Sequence, residues 1–190
     1  MRDNFFDSEE YSDINFGQTQ LEKGTYDGCV FKDCNFENIH FSTIEIIDCQ
    51  FIQCNFSNAI VKNSSFKDVL FMNCKLIGVK FCECDPFLLQ INFHDCQLSF
   101  ASFYQLNIPK TAFINCNLEE VDFTASNLRE VVFDNCNLKR AIFEDTHLEK
   151  SDFRSAMHFS INPAVNRLKG ARFSKDNLVG LLNQYQLAID

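Results

Sequence analysis

Thr111-Ala-Phe-Ile-Asn-Cys-Asn-Leu-Glu-Glu-Val-Asp-Phe-Thr-Ala-Ser-Asn-Leu-Arg-Glu130 carries a bulky apolar residue at every fifth position: Phe113, Leu118, Phe123 and Leu128. Two residues before such centres sits a small or β-branched residue, such as Cys116, Val121 or Ser126. Neither the helical period of 3.6 nor the strand period of 2 produces a spacing of five. A short strand-like pair followed by a bend does, if the centre and the residue two before it point inward and the other three face solvent. Four such bends close one square coil of about twenty residues, the kind of period that marks a solenoid.

The same pattern runs outward in both directions. The phrase Phe-x-x-Cys-x-Phe/Leu occurs six times, with its cysteine at Cys34, Cys54, Cys74, Cys96, Cys116 and Cys136. Stacking the coils predicts four inward columns. One is Phe31, Phe51, Phe71, Phe93, Phe113, Phe133 and Phe153, and the next is Phe36, Phe56, Leu76, Leu98, Leu118 and Leu138. The third is Phe41, Val61, Phe81, Phe103, Phe123 and Phe143, and the fourth is Ile46, Phe66, Leu88, Ile108, Leu128 and Leu148. The step from Phe71 to Phe93 is twenty-two rather than twenty. The two extra residues predict a bulge near 82–90, where Asp85-Pro86 is a turn signal. Six to seven coils at the spacing of paired strands make a rod of roughly 30–35 Å.

Composition agrees. The 190 residues include 22 Phe and no Trp, an aromatic content suited to a repeated interior. No apolar run is long enough for a membrane span and no secretory leader is visible, so the expectation is a cytoplasmic protein. In that compartment the ladder cysteines read as small buried hydrophobes rather than disulfides. The formal charge is −9, of which residues 1–28 hold −5, residues 29–117 −2, residues 118–152 −5 and residues 153–190 +3. An acidic chain of this kind is not expected to bind nucleic acid through phosphates.

The four pentads of 111–130 resemble the pentapeptide-repeat family, whose motif is A-(D/N)-L-x-x, and the resemblance covers at least residues 26–153. It implies an all-β solenoid, a right-handed quadrilateral β-helix, with a short C-terminal α-helix. The expected organisation is an N-terminal cap or irregular first coil over 1–25, the repeat over 26–160, and a C-terminal cap over 161–190. Ser174 is the expected N-cap of a helix over about 175–185 that sets Leu178, Leu181, Leu182 and Tyr185 on one stripe, with Leu187 and Ile189 apolar beyond it.

No phosphate loop, dinucleotide fingerprint, nucleophile elbow or zincin motif occurs, so no enzyme, cofactor, catalytic residue or metal site is expected. The four histidines are scattered, and Cys82-Glu-Cys84 lacks the second pair that a zinc site needs. Two surfaces remain. Outward apolar residues along the Phe column include Ile52, Leu70, Met72 and Ile114; either the N-terminal segment covers them or they meet a partner. The acids Glu119, Glu120, Asp122, Glu130, Asp134, Glu144, Asp145, Glu149 and Asp152 fall on all four faces of the last coils.

The C-terminus, Ile161-Asn-Pro-Ala-Val-Asn-Arg-Leu-Lys-Gly-Ala-Arg-Phe173 and Leu178-Val-Gly-Leu-Leu182, is similar to the endings of the McbG-, Qnr- and MfpA-type gyrase-interacting members of that family. That resemblance implies a DNA-mimicking homodimer, joined through its C-terminal helices, that binds DNA gyrase or topoisomerase IV and protects it from quinolone- or microcin-type poisons. The alternative is a general interaction scaffold that uses the apolar face.

Overall fold

The computed structural model describes residues 4–188, so Ile189 lies outside the described residues. The chain winds as a parallel β-solenoid. In order its strands are β1 (Asn4–Asp7), β2 (Glu10–Ser12), β3 (Gly24–Asp27), β4 (Val30–Lys32), β5 (Glu45–Ile47) and β6 (Gln50–Ile52). They continue as β7 (Ser65–Lys67), β8 (Val69–Met72), β9 (Ile91–His94), β10 (Ala112–Ile114) and β11 (Val132–Asp134). One face is a parallel sheet ordered β1-β3-β5-β7. A second is ordered β11-β10-β9-β8-β6-β4-β2, and single bridges from Val132 to Asp152 and from Asp152 to Arg172 carry it onward. The remaining faces are ladders of single bridges, such as Asn15–Asn35–Asn55–Lys75 and Lys80–Ser102–Asp122–Ile142.

The twenty-residue register brings like residues over like. Tyr11, Phe31, Phe51, Phe71, Phe93, Phe113, Phe133, Phe153 and Phe173 stack in one column with ring centroids 4.7–5.3 Å apart. The rings of adjoining columns meet edge-on, as between Phe113 and Phe123. Offset stacks along the axis and edge contacts across it are both favoured aromatic geometries. The first coil is part of this order, because Phe6 stacks on Tyr26 and Phe16 on Phe36.

Most corners use a left-handed residue, as at Asn115, Glu120, Ala125 and Glu130. That conformation costs most residues about 1–2 kcal/mol. The corner amides offset it with ladder bonds, such as Asn115 N–H to the Asp134 carbonyl (2.8 Å) and Glu120 N–H to the Lys139 carbonyl (3.0 Å).

The insertion is confined to one corner. Asp85 still bridges Ser65 twenty residues earlier, whereas Ile91 already pairs with Val69 at twenty-two. The fourth-column expectation for Leu88 is corrected: Leu88 is 65% exposed and Leu89 is buried. The Asp85 carboxylate accepts the Phe87 amide (2.9 Å), and the turn that follows puts Leu88 in the left-handed corner position (φ 57°). A corner side chain points to solvent, so the next residue turns inward.

The coil also continues past Phe153. Left-handed His158 turns outward and Phe159 fills the interior, after which Leu168 and Phe173 pack against the core. The terminal segment winds as two 3-10 helices, Lys175–Leu181 and Asn183–Tyr185, instead of an α-helix, and the Ser174 side chain makes no capping bond. This segment occupies the rung that another coil would fill. Gly180 accepts the Ile161 amide (2.9 Å), while the Asn177 side chain donates to the carbonyls of Phe153 (2.8 Å) and Ala156 (3.2 Å). Gly180 fits because a Cβ there would lie 2.4 Å from the Phe159 ring.

Candidate functional site

The cysteine ladder is buried throughout and all ten cysteines are free thiols. Each ladder thiol donates to the carbonyl of an aromatic residue one coil earlier: Cys34 to Tyr11, Cys54 to Phe31, Cys74 to Phe51, Cys96 to Phe71, Cys116 to Phe93 and Cys136 to Phe113, at 3.2–3.5 Å. Ser64, Thr146 and Ser151 do the same at equivalent positions, toward Phe41, Phe123 and Leu128. The small inward residue is thus a donor as well as a spacer. The signal was present in the sequence as the interchange of Cys, Ser and Thr, which share a donor hydrogen. Burial pushes the thiols of Cys49 and Cys84 up to about 12. These thiols are therefore protonated near neutral pH and poor nucleophiles. No group of three or more metal-ligating side chains occurs among the described residues.

The acids of the last coils do not form a free negative band. Glu119 pairs with Lys139 (2.9 Å), Glu120 with Arg140 (2.6 Å), Glu130 with Lys150 (3.3 Å) and Glu149 with Arg129 (2.8 Å). Asp152 pairs with Arg154 (2.7 Å) and Arg172 (3.4 Å). Five of these pairs link residues twenty apart, so the fold itself sets these acids beside a base. The Arg129 bond holds the Glu149 carboxyl below the usual range, and the Arg154 bond does the same for Asp152. Asp122 binds the Thr124 amide (2.9 Å) and Asp134 the Ser155 hydroxyl (2.6 Å). Glu144 and Asp145 are exposed and lack an ion pair among the described residues.

The apolar face is real and is not covered by the N-terminal segment, which is itself a coil of the rod. Leu70 and Met72 on β8, Ile52 on β6 and Ile114 on β10 are all partly exposed on the outer side of the seven-stranded sheet. The polar residues Asn92 and His94 on β9 interrupt them.

At the C-terminal end, Leu178, Leu182, Tyr185 and Leu187 are exposed, together with Val179. Leu181 turns the other way and packs against the core. The expected stripe therefore divides into one anchoring residue and an outward apolar patch. No helix in the described residues is long and apolar enough to cross a membrane.

The pentapeptide-repeat model matches residues 25–86 and 87–158, more than half of the sequence. The chain belongs to the pentapeptide-repeat family. No curated protein matches it by sequence. Among solved structures, a trypsin-treated variant of QnrB1, a plasmid-mediated fluoroquinolone resistance protein, superposes with a TM-score of 0.77. That match covers 98% of this chain and 92% of that one at 14% identity. A second trypsin-treated variant of QnrB1 gives 0.64 over 98% and 100% of the two chains, also at 14% identity. At this identity the likeness is one of fold.

Proposed function

We propose that this pentapeptide-repeat protein is a non-enzymatic rod that binds a type II topoisomerase, DNA gyrase or topoisomerase IV, and shields it from quinolone- or microcin-type poisons. The observation that carries the reading is the end-to-end correspondence of its coil with a fluoroquinolone resistance protein, over 98% of the chain. A DNA-mimicking contact on this rod would draw on the acids that form no ion pair among the described residues, Asp122, Asp134, Glu144 and Asp145, more than on the ion-paired Glu119, Glu120, Glu130, Glu149 and Asp152. The exposed patch of Leu178, Leu182, Tyr185 and Leu187 is the proposed homodimer contact.

A supercoiling assay tests this. The purified protein should restore gyrase activity in the presence of a fluoroquinolone, and Asp134→Lys with Glu144→Lys and Asp145→Lys should remove the effect. Neither rescue nor inhibition over a broad concentration range overturns the reading. Light scattering should give a dimer that Leu182→Asp converts to a monomer.

A second reading, a general interaction scaffold, is favoured by the uncovered apolar face. It predicts a partner that is lost on Met72→Asp while the melting temperature is kept.

A further inference from the structure

The face that begins as β1-β3-β5-β7 is interrupted in the middle of the rod. Its ladder runs on from Ser65 in β7 to Asp85, and starts again as Asn107–Asn127–His147–Arg167, with no bridge between Asp85 and Asn107. Elsewhere on this face the residue before the inward centre bonds back to the preceding coil. The Asp85 amide reaches the Ser64 carbonyl (2.8 Å) and the Asn127 amide the Leu106 carbonyl (2.8 Å), while the Ile108 amide reaches the Asn127 carbonyl (3.1 Å). By this register the Asn107 amide and carbonyl point back toward the coil of Asp85. Among the described residues no backbone hydrogen bond joins residues 84–91 to residues 107–111. The other sides of the same two coils are joined, through Asn73 to His94 (2.9 Å), Leu76 to Gln97 (2.7 Å) and Cys82 to Ser102 (3.1 Å).

The two extra residues cause the break. Pro86 has no amide to give, the Leu89 amide turns back to the Pro86 carbonyl (3.4 Å), and the Gln90 amide serves Phe66 on the preceding coil (3.1 Å). At the far edge the Asn92 side chain takes the Ala112 amide (2.9 Å). Between these points lies a groove of about 590 Å³, with Leu88 and Leu89 on one side and Asn107 and Pro109 on the other. Asn107 is exposed, whereas Asn127 and His147 at the same place on later coils are half-buried. Its side chain is held along the rod by the Asn127 amide group (2.7 Å), so its backbone faces the groove unhindered. Lys67 and Lys110 line the groove, and its one acid, Asp68, already accepts the Gln90 side-chain amide (3.1 Å).

We infer that this groove receives a short extended segment of a partner protein, which pairs with Asn107 and completes the interrupted ladder. One carbonyl of the segment accepts the Asn107 amide, and one of its amides donates to the Asn107 carbonyl. This is the bridge that Asn127 makes to the other side of the same coil. A donor and an acceptor from one residue, facing the same way, match an extended chain and not an ion. An apolar side chain of the segment lies against Leu88 and Pro109, and an acidic one faces Lys110. Strand addition draws affinity from the backbone and specificity from alternate side chains. The intact coils on either side limit the pairing to about three to five residues, a short strand. The site lies wholly within residues 67–111 and is independent of the topoisomerase reading.

The test uses a fluorescent synthetic peptide of about six residues alternating valine and glutamate, beside the valine–lysine version. Anisotropy should show binding of the glutamate peptide only. Lys110→Glu should weaken it by about tenfold, and it leaves the corner sound because Glu120 and Glu130 hold the same left-handed conformation. Deleting Phe87 and Leu88 restores the step of twenty, lets the two coils join, and should abolish binding while the melting temperature is kept. In the free protein the Asn107 amide should exchange fast and the Asn127 amide slowly; the peptide should slow Asn107. This readout and Lys110→Glu decide the matter even where the deletion fails to fold. Equal binding of the lysine peptide, indifference to Lys110→Glu, or an Asn107 amide that the peptide leaves unchanged overturns the inference. So does self-association that the deletion abolishes, since a second copy would then fill the groove.

Discussion

The two ends of the rod solve the same problem differently. Any solenoid leaves its first and last coils with one unsatisfied side. At the C-terminal end, helical turns take the place of the missing rung, with Gly180 and Asn177 completing hydrogen bonds of Ile161, Phe153 and Ala156. At the N-terminal end β1 and β2 are the terminal strands of their sheets, and the described residues hold no comparable helical turns. The C-terminal end is basic, through Arg154, Arg167, Lys169, Arg172 and Lys175, and the N-terminal end acidic. A helical end and a stranded one, of opposite charge, make the rod polar in a way that its repetitive middle conceals.

Equivalent substitutions at the two ends should expose the difference. Phe153 is sandwiched between Phe133 and Phe173 and is fully buried, so Phe153→Ala should cost about 3–5 kcal/mol in chemical denaturation. Gly180→Val drives a side chain into Phe159 and should cost about 1–3 kcal/mol. Limited proteolysis of that variant should cut within 175–185 while the coils persist, because each coil leans only on its neighbours. Tyr11 occupies the same column as Phe153 but has a stacked partner on one side only. Tyr11→Ala should therefore cost about half as much as Phe153→Ala. A Tyr11 cost equal to that of Phe153 would mean that the first coil is packed from both sides.

The smallest effect is electrostatic. The carboxyls of Glu149 and Asp152 are held below their usual range by bonds from Arg129 and Arg154. Their contribution is present above the ordinary carboxylate pKa and is lost as pH falls through the lowered values. Hydrogen exchange below about pH 4 should thus quicken slightly around coils 129–154, and added salt should blunt the change.

The columns were legible because a period of five, counted over many coils, leaves no rival assignment. Leu88 was not: Leu88 and Leu89 are chemically identical neighbours, and only the turn set by Asp85 and Pro86 decides which points inward. The C-terminal turns were half legible. An apolar spacing of three and four residues suits a 3-10 and an α-helix alike, so Leu181 could not be told from Leu178 and Leu182 as the inward residue. The acids were misleading when read along the chain. Glu119 and Glu120 look like a free cluster until Lys139 and Arg140 arrive from the next coil. The donor role of Cys116 was signalled only by the interchange of Cys, Ser and Thr at inward positions, because the Phe93 carbonyl it serves lies twenty-three residues back.

The Asp85–Gln90 corner has a consequence for how such a rod can change. The register on either side of it is intact, with Ser65 facing Asp85 and Phe71 facing Phe93. The count of twenty therefore belongs to each rung and not to the rod, and the molecule tolerates an unequal rung provided the surplus leaves at a corner. Corners are the joints at which new sequence can be spliced without realigning what lies above or below. This one already displays Phe87 and Leu88 to solvent. A foreign peptide grafted between Pro86 and Leu89 would be held out from a stiff axis at a known height, making the rod a measuring stick with one adjustable notch.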